Sequence, residues 1–168
     1  MPTEALSFVD DGDVANHPRW PMIVYAQAIA PMTLKKSEYA FDELFERNGW
    51  PVGFRNGIYP FTHYHSNAHE VLGIARGEAT VQFGGKSGKT LTARAGDALL
   101  LPAGTGHKLI SSGPDLLVIG AYPPGSNRDL MRSGESEKAA IRARIAKVAK
   151  PDTDPVSGAA GPMTKLWI

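Results

Sequence analysis

Four of this chain's five histidines fall in two short segments, and a glutamate shares the first of them. The first reads GIYPFTHYHSNAHEVLGIARG, from Gly57 to Gly77, and the second GDALLLPAGTGHKLIS, from Gly96 to Ser111. Imidazole and carboxylate are the side chains that a mid-row divalent metal prefers. His63 and His65 are two apart, so on a strand both side chains leave the same face while Tyr64 leaves the other. Glu70 sits at an odd offset from that pair, but the intervening Ser66-Asn67-Ala68 has turn composition and resets the parity. Beyond the turn, Glu70, Leu72 and Ile74 share one face and His69, Val71, Gly73 and Ala75 the other. The bulkier apolar side chains travel with Glu70, which predicts Glu70 inside and His69 outside. His107 follows the turn PAGTG, shares its face with Leu109, and is the fourth candidate ligand.

Each signal alone has an ordinary explanation. A single His-x-His pair is a weak motif, and a lone glutamate in a β-protein is usually solvated. The joint spacing is what carries weight: glycine, five residues, His-x-His, four residues, Glu, six residues, glycine. Gly96 then opens a second run, with five residues, Pro-x-Gly, two residues and His107.

The elements that must position these residues are short. Eighteen glycines and 13 prolines divide the chain. The pattern predicts strands at 22–29, 58–65, 70–75, 78–84, 90–94, 98–101, 107–111 and 115–122, separated by glycine turns. It predicts helices at 37–47, with Phe41, Leu44 and Phe45 as one apolar stripe, and at 136–149, with Ile141, Ile145 and Val148 on one face. Many short strands with glycine turns argue for an all-β sandwich or barrel. The expected organisation is an N-terminal arm (1–20), one domain (21–150) with its barrel core at 57–122, and a tail (151–168). The apolar end of that tail, Leu166-Trp167-Ile168, is expected to cover the barrel or a partner subunit.

Composition narrows the classes. At 168 residues, 42% apolar and net charge +1, the chain reads as one ordinary globular domain. That balance gives no electrostatic case for nucleic acid or an anionic membrane as the main partner. With no cysteine there is no disulfide, thiolate ligand or cysteine nucleophile, and a cytoplasmic location fits. The first residues are acidic and interrupted by proline, unlike a secretory signal peptide, and the apolar stretch Met22–Met32 is too short and polar to span a bilayer.

The two segments resemble the two signature motifs of the cupin superfamily. Gly57, His63, His65, Glu70 and Gly77 match the first; Gly96, Pro102, Gly104 and His107 match the second, which usually ends in asparagine where this chain has Ser111. The run HYHSNAHEVLGI, the later GAYPPG and the tail PDTDP resemble, more narrowly, single-domain bacterial cupins of the YjlB-like group. The resemblance implies a double-stranded β-helix (jelly-roll) barrel with flanking α-helices. It implies one divalent metal ion (Fe, Mn, Ni, Co or Zn) held by His63, His65, Glu70 and His107. In the narrower group a histidine precedes the glutamate, making His69 a supporting residue or alternative ligand. Cupins commonly pair through barrel edges, so a homodimer is expected.

Function then divides into two classes. One is a small-molecule metalloenzyme of dioxygenase or isomerase type; the presence of Glu70 argues against the thiol dioxygenases, which generally lack it. The other is a binding or sensing module holding a metabolite or metal without turnover, favoured by the lack of an evident general base beyond the ligands. Tyr59, Phe61 and Phe83 are candidates for a pocket mouth, although barrel aromatics more often fill the core, and Gln82 and Tyr122 are candidates either for hydrogen bonds to a substrate or for facing solvent.

Overall fold

The computed structural model describes residues 1–168. Its first half runs β1 (Thr3–Leu6), β2 (Met22–Tyr25), α1 (Pro31–Lys36), α2 (Ala40–Arg47), β3 (Val52–Asn56), β4 (His63–Tyr64) and β5 (Glu70–Arg76). The rest runs β6 (Glu78–Phe83), β7 (Lys89–Arg94), β8 (Ala98–Leu101), β9 (His107–Ser112), β10 (Leu117–Ala121), β11 (Met131–Arg132), α3 (Lys138–Lys147) and α4 (Pro162–Leu166). Two antiparallel sheets form the jelly roll, one of six strands in the order β1-β2-β8-β5-β10-β3 and one of five in the order β11-β4-β9-β6-β7.

Strand periodicity decides what lies between the sheets. Leu72 and Ile74 of β5 meet Val81 and Phe83 of β6, Leu99 and Leu101 of β8 and Val118 of β10 in the barrel interior. The alternate residues, Val71, Leu100 and Ile119, turn to the outer face of the six-stranded sheet. There they are covered by the stripe Phe41, Leu44 and Phe45 of α2 and by Trp50. Helix α3 packs Ile141 and Ile145 onto Val14, Tyr64 and Ala103.

Several elements depart from the sequence expectation. The strand expected at 58–65 shrinks to His63–Tyr64, and a strand forms earlier, at Val52–Asn56. Pro60 has no N–H to donate to a ladder, and Gly53 and Arg55 weaken the apolar alternation that would have marked β3. The N-terminal residues are no separate arm, since Thr3–Leu6 pairs with Met22–Tyr25. The helix expected from 37 begins at Ala40, and a further short helix at Pro31–Lys36 precedes it. The tail folds onto its own barrel: Trp167 is fully buried in the outer cluster, stacked on Trp20 and donating Nε1–H to the Pro21 carbonyl at 2.9 Å.

Candidate functional site

Pairing of β4 with β9 sets His63 directly opposite His107, which closes the sequence gap between the two segments. The Ser66–Ala68 turn then carries the chain across to the other sheet, where Glu70 opens β5 opposite Leu101. Gly104 ties the second segment to the first, its N–H donating to the His65 carbonyl at 2.8 Å. It needs to be glycine: its φ is +88°, and a Cβ would stand 3.1 Å from the Asn16 backbone.

The result is a cluster of three imidazoles and one carboxylate. The rings of His63 and His107 lie 4.0 Å apart between centroids, and His65 lies 6.4 and 6.3 Å from them. Glu70 reaches His65 Nε2 with Oε1 at 3.4 Å and His107 Nε2 with Oε2 at 3.2 Å. Tyr122 donates its hydroxyl to Glu70 Oε1 at 2.5 Å.

Backbone carbonyls set the tautomers. His63 Nδ1–H donates to Phe61 O at 2.9 Å, His107 Nδ1–H to Thr105 O at 3.0 Å, and His65 Nδ1–H to Asp129 O. With the proton on Nδ1, the lone pair of each neutral ring is on Nε2, the arrangement that ligating histidines use. Burial and the neighbouring His107 push His63 down to about 3, so it stays neutral. Burial also opposes charge on His65, but the charge and hydrogen bond of Glu70 outweigh it and hold His65 above its ordinary range. Burial alone would raise Glu70; the imidazoles of His65 and His107 overcome that and keep it well below the usual carboxylate range.

One atom is left without a partner. Glu70 Oε2 is buried and accepts no hydrogen bond. His107 Nε2 is near it, but with the Nδ1 proton given to Thr105 a neutral ring turns a lone pair toward the carboxylate oxygen. Two acceptors facing each other in a buried site call for a cation between them, either a proton on Nε2 or a metal ion. The donor set of three imidazole nitrogens and one carboxylate suits a mid-row divalent ion. The 3.2 and 3.4 Å contacts approach the separation of roughly 3 Å between neighbouring donors bound at about 2.1 Å. As the side chains stand, no three such groups of the chain enclose a single ion position, so ligation would need them to rotate.

The cluster floors a cavity of about 320 Å³ walled by Phe54, Ile58, Tyr59, Leu72, Tyr122 and Leu130. Tyr59 lies half-exposed at its mouth, stacked on Phe61 at 4.9 Å. Phe61 does not line the cavity; its carbonyl instead holds His63. Gln82 is not there at all. It lies on β6 between the inward-facing Val81 and Phe83, and its side chain therefore leaves the opposite face.

His69 is also separate from the cluster, and neither of its expected roles fits its position. It is fully buried on the other face of β5, against Trp20 and Trp167. Its Nδ1 accepts the Ala103 N–H at 2.9 Å and its Nε2–H donates to the Ala149 carbonyl at 3.1 Å, which occupies both nitrogens.

The segment 128–130 completes the cavity, and no motif in the sequence marked it. Asp129 pins the His-x-His turn: its carboxylate accepts the Ser66 N–H at 2.7 Å and the Ser66 hydroxyl, and pairs with Arg144 at 3.1 Å. Arg128 lies over the Tyr122 ring at 4.2 Å. Both pack where residue 53 has no side chain, since a Cβ on Gly53 would come within 2.6 Å of Tyr122 and 3.1 Å of Arg128 Nη1. Turn-like composition and an isolated acid next to an arginine were the only signals available.

A jelly roll with clustered histidines and glutamate at one mouth defines a class, and sequence comparison agrees: the family described as Cupin domain matches residues 55–119. The chain belongs to the cupin family, as a single-domain bacterial member. It is similar over nearly its full length to the uncharacterized protein YjlB of Bacillus subtilis (strain 168), at 38% identity over 166 residues, covering 99% of this chain and 97% of that one. Among solved structures it is similar to a vicilin from Solanum lycopersicum, with 16% identity and a TM-score of 0.42 over 70% of this chain and 31% of that one. An oxalate decarboxylase matches at 15% identity with a TM-score of 0.38, over 82% of this chain and 32% of that one. The chain thus spans about a third of the length of these two structures. No helix is long and apolar enough to cross a membrane.

Proposed function

We propose that this chain is a mononuclear metalloenzyme acting on a small molecule, with His63, His65, Glu70 and His107 as the ligands of one divalent ion. The observation that carries the reading is the buried, unpartnered Glu70 Oε2 facing imidazoles whose Nδ1 protons are already committed to backbone carbonyls. An ion of the Fe, Mn, Co, Ni or Zn group, when bound, supplies Lewis acidity and, for iron, redox chemistry of the dioxygenase kind.

The chain's own residues do the rest. Tyr122 keeps its proton, because burial and the Glu70 charge push the phenol far above its ordinary range. Its hydroxyl therefore stays a donor, steadying Glu70 and available to a substrate oxygen that displaces that bond. Phe54, Ile58 and Leu72 limit water around the reacting end of a ligand. Four protein ligands would leave a bound ion of this kind open to a substrate, so dioxygenase and isomerase chemistry both fit. A cytoplasmic homodimer paired through a sheet edge completes this proposal.

A second reading is a cupin that binds or senses a small molecule without turnover. Its support is that the four side chains do not stand around one ion position. Elemental analysis of protein produced with metal supplementation, beside Glu70→Ala and His107→Ala, separates the two. One equivalent of metal in the parent, absent from both variants, is expected of the metalloenzyme. A metal-free parent would leave the binding module.

A further inference from the structure

Arg128 is the one arginine or lysine on the cavity wall, and it has no counter-ion in the protein. Five other arginines and lysines are engaged in ion pairs, namely Arg55, Lys89, Arg94, Arg142 and Arg144; Arg128 is in none, nor does its side chain hydrogen-bond to the protein. Neither carboxylate of the site pairs with it. Asp129 is taken by Ser66 and Arg144, and Glu70 lies among Tyr122, His65 and His107. The guanidinium carbon lies 4.2 Å from the Tyr122 ring centroid, and none of its N–H groups is spent on a protein acceptor. The missing side chain at Gly53 makes room for that pose.

Recognition of a planar oxyanion uses such an unpaired fork, and Arg128 is exposed enough for an incoming ligand to reach it. Beyond the histidine cluster the lining carries the polar Asn56 and Asp129 and an apolar, aromatic side of Phe54, Ile58, Tyr59 and Leu72, and the cavity is at the small end of ligand pockets. We propose that Arg128 anchors the carboxylate of a small organic acid, whose apolar remainder lies along this wall with its other end toward the histidine cluster. The assignment rests on reading the cavity as a small-molecule site, but not on the metal. Arg128 positions the ligand and is not a ligand of any ion.

The test uses phenylacetate and its neutral isostere phenylacetamide, titrated calorimetrically into the parent, Arg128→Gln and Arg128→Lys, each metal-free and zinc-loaded. Phenylacetate should bind the parent at least tenfold more tightly than phenylacetamide. Arg128→Gln should remove that preference, and Arg128→Lys, a point charge without the fork, should keep part of it. Metal content should be the same in the parent and both variants. Equal binding of acid and amide, an unchanged preference in Arg128→Gln, or no binding of phenylacetate to the parent would each overturn the proposal. Acid preference in a protein that takes up no zinc would sustain it while removing the metalloenzyme reading.

Discussion

Asp129 is the residue through which a distant segment controls the aim of His65, and its removal should be measurable in two ways. Its carboxylate accepts the Ser66 N–H at 2.7 Å and the Ser66 hydroxyl, and pairs with Arg144, while its own carbonyl takes the His65 Nδ1 proton. Ser66 is fully buried, so Asp129→Ala leaves its N–H without an acceptor in a place water does not reach. A buried unsatisfied donor costs about 1–3 kcal/mol, and the lost hydroxyl bond adds about 1 kcal/mol more. The Arg144 pair is half in solvent and adds little. The variant should therefore be destabilised by about 3 kcal/mol, a shift in urea midpoint of roughly 1.5 M for a slope of about 2 kcal/mol/M. Asp129→Asn keeps one acceptor for the Ser66 N–H and should lose only about 1 kcal/mol.

Freed from that clamp, the 128–130 segment no longer holds its carbonyl against His65, and metal affinity should fall by roughly 10- to 100-fold, as for other supports of a ligating histidine. Urea unfolding with a Ser66→Ala double-mutant cycle reads the first effect, and chelator competition with Zn(II) reads the second. A coupling energy near zero, or an Asp129→Ala variant as stable as the parent, would refute the claim that Asp129 pins the turn. A destabilised variant with parental zinc affinity would show that His65 does not depend on the segment for its aim.

Two further outcomes follow from the aromatic nest on the outer face of the barrel. Trp167→Ala removes a fully buried ring stacked on Trp20 and should cost about 3–5 kcal/mol, lowering Tm by roughly 10 °C; calorimetry should find the loss independent of protein concentration, and a concentration-dependent loss would move the tail to a subunit interface. His17, buried and stacked on Trp20, is held down to about 4 by burial and then by Arg19, so between pH 6.5 and 4 the unfolded chain takes up a proton that the fold refuses. Its contribution to stability is complete above pH 6.5 and falls by about 1.4 kcal/mol per pH unit below it, to a total of about 3 kcal/mol at pH 4. In His17→Asn the amide oxygen can replace Nδ1 as acceptor for the Trp20 N–H, and the pH dependence of the urea midpoint over this range should flatten by one proton. An unaltered slope in that variant would place the proton uptake elsewhere.

Much of the site was legible from the chain alone, because its parts are local. The period of two along a strand puts His63 with His65, and Glu70 with Leu72 and Ile74, whatever the rest of the fold does. The same rule decides between the two placements open to Gln82: flanked by the inward-facing Val81 and Phe83, it leaves the face away from the cavity. The apolar stripes of the helices that cover the barrel were visible for the same reason of periodicity, although Pro60 and Gly53 hid the true limits of β3 and β4.

What required the tertiary structure are relations between residues far apart in sequence. The spacing of residues 63 and 107 carries no information about their register; the pairing of β4 with β9 decides it. Parity turns His69 away from Glu70 but does not say what it meets. Only the packed structure shows both its nitrogens bound to backbone and its ring between tryptophans, where an exposed histidine or an extra ligand had been expected. The pinning of His65 by Asp129 joins segments about 60 residues apart, and the same loop without periodicity holds the unpaired Arg128 over Tyr122. Local propensity fixes which face a side chain leaves, whereas the neighbours it meets there follow from chain reversal and packing, and those neighbours set the tautomers and the charge of the clustered side chains.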